Sequence, residues 1–173
     1  CVLFLNGEYW GLYEIREKVD DLDFTDYYYN QDSVAFLKTW GGTWVDVLTN
    51  FQNPNDVEDS WDNFYNFVMS NDVTDPAIYE QIKDIYNTGS LIDYFILNTY
   101  VVNADWLNWN TAWWRGMDPN GEKKKWRYTL WDMDNTFDHG TNYTGIPSSD
   151  PNAEPCDPST LGNTGGQGHV PIW

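Results

Sequence analysis

The chain has 173 residues, which is the size of one domain that can bury a core. Nine basic residues against 27 acidic ones leave a formal charge of −18. This charge argues against nucleic acid or an anionic membrane as a partner, because both attract positive protein surface. Aromatic residues make up 18% of the chain and can bury far more surface than a disordered acidic tail. No apolar run is long enough to span a bilayer, so we expect a folded domain without membrane insertion.

The two ends suggest a piece of a longer protein. The chain begins at Cys1 without a Met or a signal segment and ends on the apolar run 170–173. Cys1 and Cys156 either form one bridge or are unrelated thiols. The acidic, Trp-rich composition and a glycosylation-type triplet at 142–144 favour an extracellular or cell-surface location over the cytosol.

The first third of the chain predicts β-strands. A short strand at 2–5 is followed by the turn pair Asn6-Gly7 and by a return strand at 9–16, in which Gly11 indicates a bulge. Residues 20–30 predict a loop with a short turn of helix, and 34–40 predict a third strand.

The middle of the chain predicts three helices. The first opens at residues 54–56 and carries an apolar stripe of Val57, Trp61, Phe64, Phe67 and Val68. The second begins at Pro76, carries Ile78, Ile82 and Ile85, and ends at Gly89. The third is capped by Ser90 and runs from 91 to about 102.

Strands at 111–115 and 125–131 then predict a hairpin, and a Gly- and Pro-rich loop follows Phe137. Strands followed by helices and an acidic hairpin predict an α+β, protein-kinase-like fold rather than a doubly wound sheet. We expect a small β-rich lobe (1–50) and a mainly helical lobe (51–173) with the catalytic hairpin. Since kinase-like domains typically need about 250 residues, both ends of the fold are expected to be incomplete.

Two acidic motifs have the spacing that phosphoryl transfer uses. Asp105 follows the third helix, and Asn110 comes five positions later, ahead of a strand. Protein kinases place a catalytic base and a metal-binding amide at this interval. We therefore assign Asp105 as the base that orients the acceptor hydroxyl and Asn110 as a metal ligand. The competing interpretation of Asp105 is a solvated loop carboxylate.

Asp132 ends the apolar run 128–131, where a metal ligand that bridges phosphates is expected. Asp134 lies two residues later, on the same side if the chain is extended. Two adjacent carboxylates repel each other unless a cation lies between them, so both are assigned as metal ligands. The alternative is an acidic turn exposed to water.

Two residues of the first lobe are assigned to nucleotide binding. Lys38 lies near the end of a strand after four apolar residues, as a phosphate-contacting lysine does. An ordinary surface lysine is the competing interpretation. Glu17 follows the first hairpin and is assigned to pair with Lys38 or a metal.

At these residues the chain resembles the CotH kinase family, the atypical protein kinases of spore-coat type. The resemblance lies in residues 3–13 with Glu17 and Asp20, in 103–105 with Asn108 and Asn110, and in 125–128 leading to 132–134. It implies a kinase-like fold, ATP with Mg²⁺ or Mn²⁺, and phosphate transfer to Ser or Thr of a protein. It also implies Asp105 as base, Asp132 and Asn110 as metal ligands, and Lys38 as the strand lysine. Family members also occur as modules of larger surface or secreted proteins.

Two other functions remain open from the sequence. One is a non-catalytic extracellular module that uses the fold for structure or attachment, with the acids binding Ca²⁺ or nothing. The other is an aspartate-nucleophile phosphatase, because the motif at 132–136 also fits that chemistry. The phosphatase ranks third, since only 37 residues (173 − 136) remain for its other catalytic parts.

Overall fold

The computed structural model describes residues 1–15, 22–40, 43–45, 55–103 and 109–137. Strands and helices are mixed in these ranges, and the chain is α+β as the sequence predicts. The elements in chain order are β1 (Val2–Leu5), β2 (Glu8–Leu12), α1 (Leu22–Tyr29), β3 (Val34–Trp40), β4 (Thr43–Val45), α2 (Asn55–Ser70), α3 (Pro76–Ile85), α4 (Thr88–Tyr100), β5 (Trp109–Gly116) and β6 (Arg127–Thr129).

Strands β1 and β2 form the predicted N-terminal hairpin. Asn6 and Gly7 have φ values of 50° and 84°, and a type I′ turn requires positive φ at both positions. The register shifts so that Leu3 pairs with Gly11 and Phe4 pairs with Tyr9, which confirms the predicted bulge beside Gly11. The return strand is shorter than predicted and ends at Leu12, because β1 supplies pairing partners only from Val2 onward.

A second sheet has the strand order β4-β3-β5-β6 with antiparallel neighbours. Side chains alternate between its two faces. One face packs against the three longer helices and contributes Ala35, Leu37, Trp113 and Tyr128 to a buried cluster. The other, which we call the α1 face, buries Val34, Phe36, Ala112 and Trp114 against residues that include Leu22 and Tyr29 of α1.

Both predicted lobes contribute to this sheet. Strand β3 comes from the part predicted as the small lobe, and β5 comes from the part predicted as the helical lobe. The two are direct neighbours over the register from Val34↔Gly116 to Trp40↔Trp109. The division at residue 50 itself stays a prediction.

The predicted helical stripes are confirmed for α2 and in part for α3. The α2 residues Val57, Trp61 and Phe64 are buried in the core. Helix α3 begins at Pro76 after the N-cap Asp75, and Ile82 is buried, whereas Ile85 is 38% exposed.

The predicted boundary between α3 and α4 is wrong. Helix α3 ends at Ile85, and Tyr86 takes an extended conformation that bridges to Trp126. The backbone N–H of Trp126 donates to the Ile85 carbonyl, and that of Asn87 donates to the Trp126 carbonyl, both at 2.9 Å. Asn87 then caps α4 by accepting from the backbone of Ser90, so Gly89 lies inside the first turn of the next helix. A long-range pairing, rather than the glycine, ends α3.

Strand β6 is also shorter than predicted. It pairs with β5 only from Trp114↔Arg127 to Ala112↔Thr129. Beyond Thr111 the register of β5 shifts against β3, and Asn110 has a φ of 50°. Residues 130 and 131 lie outside the ladder, next to the part of β5 that carries this bulge. No helix within the described ranges has the length and apolar character needed to cross a bilayer.

Candidate functional site

Lys38 lies on β3 near the end of the sheet and is only 5% exposed. Its ammonium is 3.8 Å from the ring centroid of Trp131 and 5.5 Å from that of Phe36. Burial of an ammonium is costly unless other groups compensate, and the face of an indole is the best aromatic partner for a cation. The interpretation of Lys38 as an ordinary surface lysine is therefore wrong.

Asn110 lies on the neighbouring strand at the same end of the sheet. Lys38 pairs with Ala112 and Thr39 pairs with Thr111, so Asn110 is the next residue of β5 beyond these pairs. It is 9% exposed and has a φ of 50°, a conformation that asparagine adopts more readily than most residues. The bulge thus gives a buried asparagine a local geometry that a regular strand would not.

Asp132 follows β6 by three residues and is exposed, as is Asp134. Asp132 has a φ of 48°, so the chain turns there instead of running straight. The argument that an extended chain places both carboxylates on one side is therefore wrong. Trp131, immediately before the turn, is half-buried and packs against the cluster on the α1 face. The apolar neighbour is held in the core while Asp132 reaches solvent.

The end of α4 approaches the acidic segment from another direction. The side-chain amide of Asn103 donates to the Asn98 side-chain oxygen at 2.8 Å and to the Met133 sulfur at 3.6 Å. The backbone N–H of Phe137 donates to the Val101 carbonyl at 2.5 Å. Residues 132–137 are therefore attached to the chain just before the predicted catalytic loop.

The structure brings together part of the predicted site. Lys38, Asn110 and the segment with Asp132 lie at one end of the sheet. Asn103, two residues before Asp105 in the sequence, contacts Met133. Asp105 and Glu17 themselves lie outside the described residues, as does Cys156. Over the ranges that the structure describes, no three His, Cys, Asp or Glu side chains come together as a metal site.

Sequence reasoning gave no separate role to three residues at this site, although Asn103 and Met133 lie within the motifs that carry the resemblance: Trp131, Asn103 and Met133. Trp131 was interpreted only as the apolar end of a strand, yet it contacts Lys38. Its position directly before Asp132 was the one available signal. Nothing in the sequence indicated the contact between Asn103 and Met133, because it joins residues 30 positions apart.

Two open cavities among the described residues lie elsewhere. One of about 370 Å³ lies between α4 and β6 and includes Ser90 and Asp93 in its lining. The other, of about 580 Å³, is lined by Arg115 and residues of α2. Burial lowers the pKa of the Arg115 guanidinium. Neither of these two cavities is lined by Lys38, Asn110 or Asp132, so the residues predicted for the site lie apart from both.

Comparison with known proteins confirms the family resemblance of the sequence. The family model described as CotH kinase protein matches residues 1–164. No curated protein and no solved structure matches the chain. Because the family match covers nearly the whole chain, the chain belongs to the CotH kinase protein family.

Proposed function

We propose that the chain is a protein kinase domain that transfers the γ-phosphate of ATP to a Ser or Thr hydroxyl of a secreted or surface protein. Membership of the CotH kinase protein family favours phosphate transfer from ATP to a protein over the hydrolysis that a phosphatase would catalyse. The proposal includes a kinase-like arrangement of two lobes, attachment to other modules of a larger polypeptide, and an extracellular or cell-surface location.

One observation carries the proposal. Lys38 and Asn110, from the neighbouring strands β3 and β5, lie at the same end of the sheet. The ammonium of Lys38 contacts Trp131, the residue directly before Asp132. The residues that carry a cation, an amide oxygen and a carboxylate, from three separate parts of the chain, thus lie toward the same end of the sheet. This is the combination that a nucleotide with its metal ion requires.

The residues fit a divalent cation by the chemistry of their oxygens. The carboxylates of Asp132 and Asp134 and the amide oxygen of Asn110 are hard ligands of the kind that Mg²⁺ and Mn²⁺ prefer. The same set would also accept Ca²⁺. When bound, such a cation neutralises the charge that builds up on the transferred phosphate. Asp132 and Asn110 are proposed as its main ligands, and Asp134 as a further one.

The other residues have separate roles in the reaction. Lys38 binds phosphate oxygens of the nucleotide and holds them at the end of the sheet, with Glu17 proposed as its pairing carboxylate. Asp105 accepts the proton of the Ser or Thr hydroxyl while the hydroxyl oxygen forms a bond to the γ-phosphorus. The bond from that phosphorus to the bridging oxygen breaks, and ADP leaves.

The test is transfer of labelled phosphate from ATP to a Ser- and Thr-containing protein in the presence of Mg²⁺. Asp132→Ala is expected to lower the rate by about 100-fold or more, because a charge-stabilising ligand is lost. Asp84→Ala is the matched control, since Asp84 is an exposed aspartate on α3, away from the sheet end. This control is expected to retain the activity of the unchanged protein.

The proposal fails if phosphate transfer survives Asp132→Ala at the level of Asp84→Ala. It also fails if the intact protein gives no transfer and no calorimetric heat with millimolar ATP and Mg²⁺. The second outcome would instead favour the non-catalytic extracellular module.

A further inference from the structure

The contact between Lys38 and Trp131 connects β3 with the segment that carries Asp132. The indole centroid lies 3.8 Å from the Lys38 ammonium, well inside the distance at which a cation interacts with an aromatic face. Lys38 is 5% exposed, so little water competes for this contact. The two side chains are 93 residues apart in the sequence (131 − 38). The contact is therefore a tertiary one and not a local turn.

Register explains why the indole reaches this position. Lys38 pairs with Ala112, and Ala112 pairs with Thr129 on the other side. Paired residues of an antiparallel sheet share a face, so Lys38, Ala112 and Thr129 form one row across the α1 face. Trp131 is two residues beyond Thr129 and packs against the cluster that contains Ala112.

Asp132 is the residue between two anchored neighbours. Trp131 is attached on one side to Lys38, and Met133 is attached on the other to Asn103. Strand pairing of this segment has already ended at Thr129. These two side-chain contacts therefore lie on either side of Asp132, an exposed residue with a φ of 48°.

We infer that Trp131 is a positioning residue, which holds the Lys38 ammonium and the Asp132 carboxylate in a fixed relation at the end of the sheet. This inference rests on the proposed function for its kinetic consequence. Trp131 acts through Lys38 and Asp132, and it is not assigned a contact with substrate. Without the indole, Lys38 gains freedom to leave the phosphate position, and Asp132 loses one of its two neighbouring anchors.

The first test does not depend on activity. Protein labelled with ¹³C at the lysine ε-carbons gives one signal for each lysine, and Lys38→Arg identifies the Lys38 signal. A ring current from Trp131 is expected to move the Lys38 ε-proton signal upfield. Trp131→Leu is expected to move that signal most of the way back toward the exposed lysines, with the smaller effect of the Phe36 ring at 5.5 Å remaining, while amide spectra show that the variant stays folded.

The second test separates positioning from packing by steady-state kinetics. Trp131→Leu is expected to raise KM for ATP and to lower kcat, with a fall in kcat/KM on the order of tenfold or more. Trp131→Phe retains a ring and is expected to recover part of the loss. Tyr29→Leu is the matched control, because Tyr29 packs in the same cluster and has Lys123 at 5.2 Å from its ring, away from the site. Its KM is expected to stay unchanged.

The possible failures are distinguishable. An unshifted Lys38 signal in the unchanged protein overturns the inference whatever the activity. Unchanged KM and kcat in folded Trp131→Leu also overturn it, while the proposed kinase function stands. If the unchanged protein transfers no phosphate, the proposed function falls and the kinetic role of Trp131 falls with it. The lysine signal then still decides whether the contact exists.

Discussion

Gln31 lies between α1 and β3, is fully buried, and holds the turn that joins β5 to β6. Its amide nitrogen donates to the carbonyls of Asp118 at 3.1 Å and Glu122 at 2.6 Å. Its amide oxygen accepts from the backbone N–H of Asp118 at 2.9 Å. Because β5 carries Asn110 and β6 leads to Asp132, this turn is part of what positions the candidate site. Gln31→Leu tests its contribution.

The substitution preserves approximate volume but leaves three backbone groups of the turn without their partner. An unsatisfied buried polar group costs about 1–3 kcal/mol. Glu122 is exposed and Asp118 is only partly buried, so water replaces part of the lost bonding and the lower bound applies to each group. We therefore expect a loss of about 3 kcal/mol in the free energy of unfolding. For a chain of this size, the melting temperature should fall by roughly 6–12 °C.

Urea unfolding followed by tryptophan fluorescence measures this loss. Gln81→Leu is the matched control, because Gln81 is exposed on α3 and its amide donates only to the Ala77 carbonyl, at 3.2 Å. Its stability is expected to change by no more than about 0.5 kcal/mol. Equal stabilities of the Gln31 and Gln81 variants would refute the assigned role of the buried amide.

Two further predictions concern the turn between α2 and α3 and the turn between β5 and β6. Side-chain and backbone hydrogen bonds from Thr74 lower the pKa of the Asp72 carboxyl. The ionised carboxylate therefore stabilises the folded protein above the ordinary pKa of 3.8, and this stabilisation is lost as the pH falls through the pKa that Asp72 has in the folded protein. Thr74→Val should raise the pKa of Asp72 in a carboxyl NMR titration, and an unchanged pKa would contradict the assignment. A Cβ at Gly121 would lie 2.3 Å from the Asn30 carbonyl oxygen, so Gly121→Ala should lower the free energy of unfolding by about 1–3 kcal/mol in urea. Gly89→Ala, whose Cβ meets nothing closer than 3.3 Å, should cost less; equal losses would contradict the steric reason.

The sequence predicted elements well where local pattern decides the structure. The apolar stripe of α2, the Asn6-Gly7 turn and strand β3 all follow from short-range periodicity or turn chemistry. The end of α3 could not be predicted in this way, because it depends on Tyr86 pairing with Trp126, 40 residues later (126 − 86). The length of β6 likewise depends on its pairing with another strand, since it pairs with β5 only as far as Ala112.

The candidate site shows the same division. Motif spacing predicts roles for Asn110 and Asp132, which stay predictions, and the four apolar residues before Lys38 indicated that this lysine is unusual. The contact between Lys38 and Trp131 could not be predicted, because it requires that β3 and β6 lie on either side of β5. The positive φ of Asp132 is equally invisible in the sequence, and it overturned the argument from an extended chain.

A structure of the intact protein soaked with a non-hydrolysable ATP analogue and Mg²⁺ tests the central claim most directly. The account predicts phosphate oxygens against the Lys38 ammonium and a cation bound by oxygens of Asp132 and Asn110, with Asp105 facing the γ-phosphate. A nucleotide bound away from these side chains, or none at millimolar concentration, would contradict it.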